Sequence, residues 1–152
     1  MKRIILTTVL LVLATAIGAR AADTVAGSVK AVQGSCSVQR GTEAIPATEG
    51  MHLQEQDALI TGPDSHIAVI LRDGTRLSIG PSSKLNIVQF VYNPGEKKFG
   101  LLLDLGRGVL AYVSGKIASF SPEAVRVQTP VGSIGLRGTK FVVGLGISGG
   151  AR

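Results

Sequence analysis

Residues 57–83 read DALITGPDSHIAVILRDGTRLSIGPSS, and this stretch decides the fold. Two apolar runs, 67–71 and 77–79, flank Asp73-Gly74, a pair that favours positive φ and tight hairpin turns. A two-residue turn sets Ile70 opposite Leu77 and Ala68 opposite Ile79, because register counts outward from the turn. That register makes one shared apolar face. The other face is apolar only in the first strand, which is therefore the more central of the two. On either side, Thr61-Gly62-Pro63-Asp64-Ser65 and Gly80-Pro81-Ser82-Ser83 are clusters of turn-forming residues. The resulting strand and turn rhythm of about ten residues is that of a compact all-β domain.

Outward from this stretch, the 152-residue chain opens on Met1-Lys2-Arg3, an apolar run over 4–17 and Gly18-Ala19-Arg20-Ala21. This is the pattern of a secretory signal peptide, 1–21, with cleavage between Ala21 and Ala22. This run of fourteen residues at about 1.5 Å each reaches roughly 21 Å, short of the roughly 30 Å hydrocarbon core, so no stable membrane span is expected after cleavage. Removing Lys2, Arg3 and Arg20 leaves 13 basic residues against 10 acidic ones, so the charge falls from +6 to +3. The remaining basic residues are scattered without interleaved aromatics, and nucleic-acid binding is not expected. Residues 22–152 suffice for a single domain with a real core. Cys36 is the only cysteine, so no intramolecular disulfide forms, and its strand-like neighbours suit a small buried thiol.

Residues 24–40 read as two short strands split at Gln33-Gly34, with Val25, Val29, Val32, Cys36 and Val38 as candidate core and Gly27 as a candidate bulge. The polar segment 43–56 holds one extended piece at Ala44-Ile45-Pro46 and a turn at Gly50. Residues 85–92 form a strand whose apolar face changes between Ile87 and Phe90, the mark of a bulge or corner. Alternation then runs through Phe99, Leu101, Leu103 and Leu105, breaks at a turn over Gly106-Arg107-Gly108, and resumes at Val109, Ala111 and Val113. No segment after residue 21 has the 3.6-residue period of a packed helix. A short-stranded β-solenoid and a sandwich-like domain both fit, although no strict sequence repeat is evident.

Chemistry is sparse. The histidines are His52 and His66, and a Ser65-His66-Asp64 set spelled from adjacent residues puts neighbouring side chains on opposite faces of a strand, which works against a triad. No metal-ligand spacing and no phosphate loop is present, so no enzyme activity, metal or cofactor is expected. Arg137, between Gly135 and Gly138, is placed where a guanidinium staples glycine-rich strand ends or meets a partner.

Taken together, Gly50, Asp57 to Gly62, Ser65, Asp73-Gly74-Thr75, Gly80-Pro81-Ser82, Gly106 to Leu110, Ser114-Gly115-Lys116, and Thr129-Pro130 through Gly135, Arg137, Gly138 and Thr139 resemble the FecR domain. This periplasmic domain is best known from regulators that carry iron-transport signals across the inner membrane to a sigma factor. The resemblance implies an all-β fold acting through protein contacts, with Asp57, Thr61, Gly62, Asp73, Gly74, Thr129, Pro130, Gly135, Arg137, Gly138 and Thr139 as mainly structural signature residues. It further implies a periplasmic location in a Gram-negative bacterium and a protein partner in the cell envelope. A glycan-binding or structural envelope module is the alternative. Similar domains continue into further strands where this chain ends in a glycine-rich tail, so a C-terminally shortened domain, 22–152, is expected. Self-association through the edge of its last strand follows from that expectation.

Overall fold

The computed structural model describes residues 25–136 and 138–146. The leader, the Ala21-Ala22 junction and Arg137 lie outside them. Among the described residues the strands are β1 (Val25–Gln33), β2 (Cys36–Arg40), β3 (Glu43–Pro46), β4 (His52–Gln54), β5 (Ala58–Thr61), β6 (His66–Leu71), β7 (Arg76–Ile79), β8 (Lys84–Asn93), β9 (Lys98–Val113), β10 (Val125–Thr129), β11 (Gly132–Gly135) and β12 (Lys140–Leu145). Between β9 and β10 sit a five-residue helix, α1 (Lys116–Phe120), and a 3-10 turn, Pro122–Ala124.

The fold is all-β, and these strands join in a single curled sheet. One half runs β12-β9-β7-β6-β1-β4 and the other β3-β2-β5-β8-β9-β10-β11. The sixteen-residue β9 belongs to both: residues 98–107 pair with β8, and residues 110–113 pair with β7. Neighbours are antiparallel except β9 and β10. The largely antiparallel pairing is not that of a solenoid, whose successive turns stack in parallel; the one sheet curls on itself as a half-barrel. Both halves turn their apolar faces onto one core, Val29, Leu53, Ile67, Val69, Leu77, Ile79, Leu110 and Tyr112 from the first and Val38, Leu59, Leu85, Ile87, Leu103, Leu105 and Val127 from the second.

Three expectations are corrected. The β6–β7 connection has three residues, not two: Gly74 N donates to Leu71 O (2.9 Å), Leu71 N donates to Thr75 O (2.8 Å), and Gly74 alone of the pair has positive φ, at 86°. Val69 therefore faces Leu77 and Ile67 faces Ile79, while Ile70 faces Arg76. One extra loop residue flips the face, so Ile67, Val69 and Leu71 are the buried row instead of Ala68 and Ile70. Residues 106–108 are not a turn but the middle of β9, which passes there from one half to the other. Of the proposed N-terminal core, Val25 and Val32 are only half-buried, and Ala26 is buried instead. The bulges appear where expected, with register shifts between Val25 and Gly27 and between Ile87 and Gln89.

The crease between the halves is built twice from the same parts. Gly62, Pro63, Asp64 and Ser65 lie eighteen residues before Gly80, Pro81, Ser82 and Ser83. In the first turn Gly62 N donates to Ser35 O (2.8 Å), Ser65 Oγ accepts from Ser35 N (2.9 Å), and the hydroxyl donates to Pro63 O (3.0 Å). In the second, Gly80 N donates to Val109 O (2.9 Å), Ser83 Oγ accepts from Val109 N (3.0 Å), and its hydroxyl donates to Pro81 O (3.0 Å). The third turn residue is left-handed in both, Asp64 at φ 53° and Ser82 at φ 50°. Each clasp ties a turn between halves to another crossing of the chain, β1 to β2 in one case and the middle of β9 in the other. Thr61 joins the two clasps: its Oγ1 donates to Gly80 O (2.6 Å) and accepts from Ser83 N (2.9 Å).

A glycine precedes the clasped residue in both copies, Gly34 at φ 77° and Gly108 at φ 89°. A Cβ on Gly108 would lie 2.6 Å from Ser83 Cα, which is backbone and cannot swing aside. Gly41 also has positive φ, at 61°, but faces open space. Gly108→Ala is accordingly expected to cost about 3 kcal/mol or more, left-handed strain plus overpacking, and Gly41→Ala about 1 kcal/mol. Denaturant unfolding of the two variants measures the difference.

Candidate functional site

The signature residues fall into three places. Asp57 and Asp73 are buried and belong to the scaffold. Asp57 takes a two-pronged contact from Arg40, Nε to Oδ1 at 2.9 Å and NH2 to Oδ2 at 2.7 Å, and also accepts from Gln54 N (2.8 Å). The same guanidinium donates to His52 O (3.1 Å), so a single ion pair holds β2, β4 and the start of β5 together. Asp73 accepts from Thr75 N (3.1 Å) and Thr75 Oγ1 (2.7 Å), then reaches Ile117 N (3.2 Å). Gly115 packs against this carboxylate so closely that an added Cβ would lie 2.6 Å from Oδ2. Gly74 shapes the hairpin loop beside it.

Thr61, Gly62 and Pro130 share a groove of about 850 Å³, with Ser35, Ile60, Pro63, Ser82, Gly106, Arg107, Val131 and Leu145 among its walls. The clasps form its floor. Thr129 stands at the end of β10 beside it, its hydroxyl donating to Gly132 O (2.9 Å) across the tight β10–β11 turn. Val131 is 88% exposed at the tip of that turn and overhangs the groove. Gly135, Gly138 and Thr139 line a separate depression next to α1, where Ser114 Oγ donates to Gly138 O (2.8 Å). The staple proposed for Arg137 lies outside the described residues.

Sequence reasoning missed Gly34, Ser35 and Arg40 as structural partners, and gave Ser83 no role beyond its turn. The recurrence of Gly-Pro-x-Ser eighteen residues apart is the signal that would have found the clasps. It also places Ser65 in the scaffold: its hydroxyl is occupied on both sides by backbone, while His66 points to solvent. Cys36 is a buried thiol donating to His66 O (3.4 Å), and burial pushes its pKa up. Among the described residues no three His, Cys, Asp or Glu side chains gather as metal ligands, and no helix is long and apolar enough to cross a membrane. Arg107 is the groove's one ionisable wall residue among those described. Elsewhere Phe120, 60% exposed, stacks on Phe99 at 5.3 Å, and Phe99 meets Tyr92 at 6.2 Å.

Tyr112 is buried against Phe141, ring centroids 4.7 Å apart, and its hydroxyl has no hydrogen-bond partner. Burial pushes its phenol above the ordinary tyrosine value, against smaller opposing effects that include the neighbouring Thr75 hydroxyl. A folded pKa above the unfolded value means that the folded state holds the proton more tightly. This contribution to stability is present below about pH 10 and is lost as pH rises further. Tyr112→Phe is expected to leave neutral-pH stability unchanged or raise it by up to about 1 kcal/mol, since an unpaired hydroxyl leaves the core. Unfolding curves above pH 10 should fall less steeply for the variant than for the parent.

In comparison with known proteins, the family model described as FecR protein matches residues 57–151. No curated protein and no solved structure matches the chain significantly.

Proposed function

The chain belongs to the FecR family, and from that premise we propose that it works without catalysis, as an exported envelope module that binds a protein partner and thereby senses or relays a signal. The observation that supports this reading is the division of labour among the signature residues. Of these Asp57, Thr61 and Asp73, with Ser65, Thr75 and Ser83 beside them, are buried and spend their polar atoms on the scaffold. What faces the groove is apolar surface, serine hydroxyl and backbone, with Arg107 on its wall. Such a lining suits recognition of an extended peptide or loop, in which apolar contacts carry affinity and a few polar groups fix orientation. A glycan-binding role is the second reading, supported by the exposed Phe120 stacked on half-buried Phe99, with Tyr92 tilted against it.

Export makes its own prediction: mass spectrometry of the released protein is expected to find Ala22 at the N-terminus, and an intact Met1 in the membrane fraction would refute it. For the partner, the processed protein is to be incubated with envelope extract and with isolated peptidoglycan, beside Val131→Asp and Phe120→Ala. The protein-binding reading expects a defined protein to be recovered and lost with Val131→Asp. Retention by peptidoglycan, lost with Phe120→Ala, would establish the glycan reading instead.

A further inference from the structure

Among the described residues, the four outer strands of the curled sheet differ in how well their free edges are protected. β3 has four residues and carries Glu43 and Pro46, β4 has three residues, and β11 has four with glycine at each end. β12 has six residues, KFVVGL, with no proline and no register shift against β9. Edge strands are ordinarily blunted by shortness, proline, bulges or charge, and β12 has only Lys140.

The hydrogen-bond phase of β12 follows from its neighbour. Ser114 N donates to Thr139 O at 2.8 Å, continuing the register in which Tyr112 faces Phe141 and Leu110 faces Val143. Facing residues in an antiparallel ladder alternate between bonded and non-bonded pairs. Phe141, Val143 and Leu145 therefore spend their backbone groups on β9, while Lys140, Val142 and Gly144 direct theirs to the free edge. The opposite side of β9 agrees, since Val109 O is taken there by Gly80 N (2.9 Å). The side chains alternate in step: Phe141, Val143 and Leu145 pack against the core, and Val142 is 70% exposed on the outer face.

We propose that β12 pairs antiparallel with β12 of a second copy about a twofold axis at Val142, continuing the sheet across two molecules. In that register Val142 faces its counterpart, and Lys140 faces Gly144 of the other copy. The outward backbone groups at 140, 142 and 144 all meet donors and acceptors in phase. Phe141 of one copy lies opposite Val143 of the other, so the inner apolar row continues across the axis and no side chain changes face. The two Lys140 side chains stand four residues apart along the ladder, roughly 14 Å, beyond the Debye length of about 8 Å at physiological salt. An edge paired about one residue, with an apolar inner row, an exposed valine at its centre and its charges held apart, matches a copy of itself without any change in the strand. This inference rests on the hydrogen-bond phase of the edge and not on what the groove binds, although Gly144 and Leu145 also border the groove.

Sedimentation velocity on the processed protein, with amide hydrogen exchange at low and high concentration, tests it. The expected result is a concentration-dependent dimer. The Lys140, Val142 and Gly144 amides should exchange fast when dilute and be protected when concentrated, with Phe141, Val143 and Leu145 protected throughout. Val142→Pro removes an outward N–H, and Val142→Lys puts like charges across the axis, so each should weaken dimerisation roughly tenfold or more, with Val142→Lys also leaving the melt of the dilute protein as before. A monomer at every concentration would overturn the proposal. So would a dimer indifferent to both substitutions, or protection of the 140, 142 and 144 amides in the dilute monomer.

Discussion

The fold depends on two serine hydroxyls that each accept from one strand's backbone and donate to their own turn. Ser65 and Ser83 sit where the chain crosses between the halves of the sheet, and each is almost completely buried. A buried hydroxyl without partners costs about 1–3 kcal/mol, so these residues are tolerable only with both bonds made. Satisfying them places Gly62 against Ser35 and Gly80 against Val109. The curl of the sheet is thus set at its crease by hydrogen bonds between residues 30 and 26 positions apart. Hydrophobic faces supply the driving force for closing the halves on each other, but they are non-directional, and the clasps decide the angle.

The same logic separates the two buried aspartates from any chemistry. Asp57 answers Arg40 and a backbone amide, and Asp73 answers its own loop and the first amide of α1 that it can reach. Asp57 draws β4 to the paired strands β2 and β5, and Asp73 ties the β6–β7 loop to α1. Among the signature residues Asp57, Thr61 and Asp73 are buried, while Gly74, Pro130, Gly135, Gly138 and Thr139 stand at the surface.

Much of this was legible in the residues. The alternation of apolar positions identified most of the strands, and the shift of face after Ile87 identified the bulge in β8, because both follow from the two-residue period of a strand. The register of the β6–β7 hairpin was not legible, since Asp-Gly serves two-residue and three-residue loops alike and a single added residue moves every side chain to the other face. The Gly106-Arg107-Gly108 segment read as a turn because glycine marks both turns and sites where another backbone comes close. Only the position of Ser83 distinguishes the two. The groove was invisible for a different reason: Gly62 and Pro130 are far apart in sequence, and nothing local in either names the other.

The double membership of β9 has a consequence for the order in which the domain assembles. β1 with β6 and β7, and β2 with β5 and β8, are complete as separate half-sheets once residue 93 has been made. Neither half closes until residues 98–113 arrive to pair with β8 and β7 together. A chain emerging from its N-terminus therefore passes through an interval in which two apolar half-sheets coexist, each with an open edge and with no strand to join them. Non-local pairing of this kind folds slowly and exposes aggregation-prone surface while it waits. The strand that unites the architecture is therefore the piece on which closure of both halves waits.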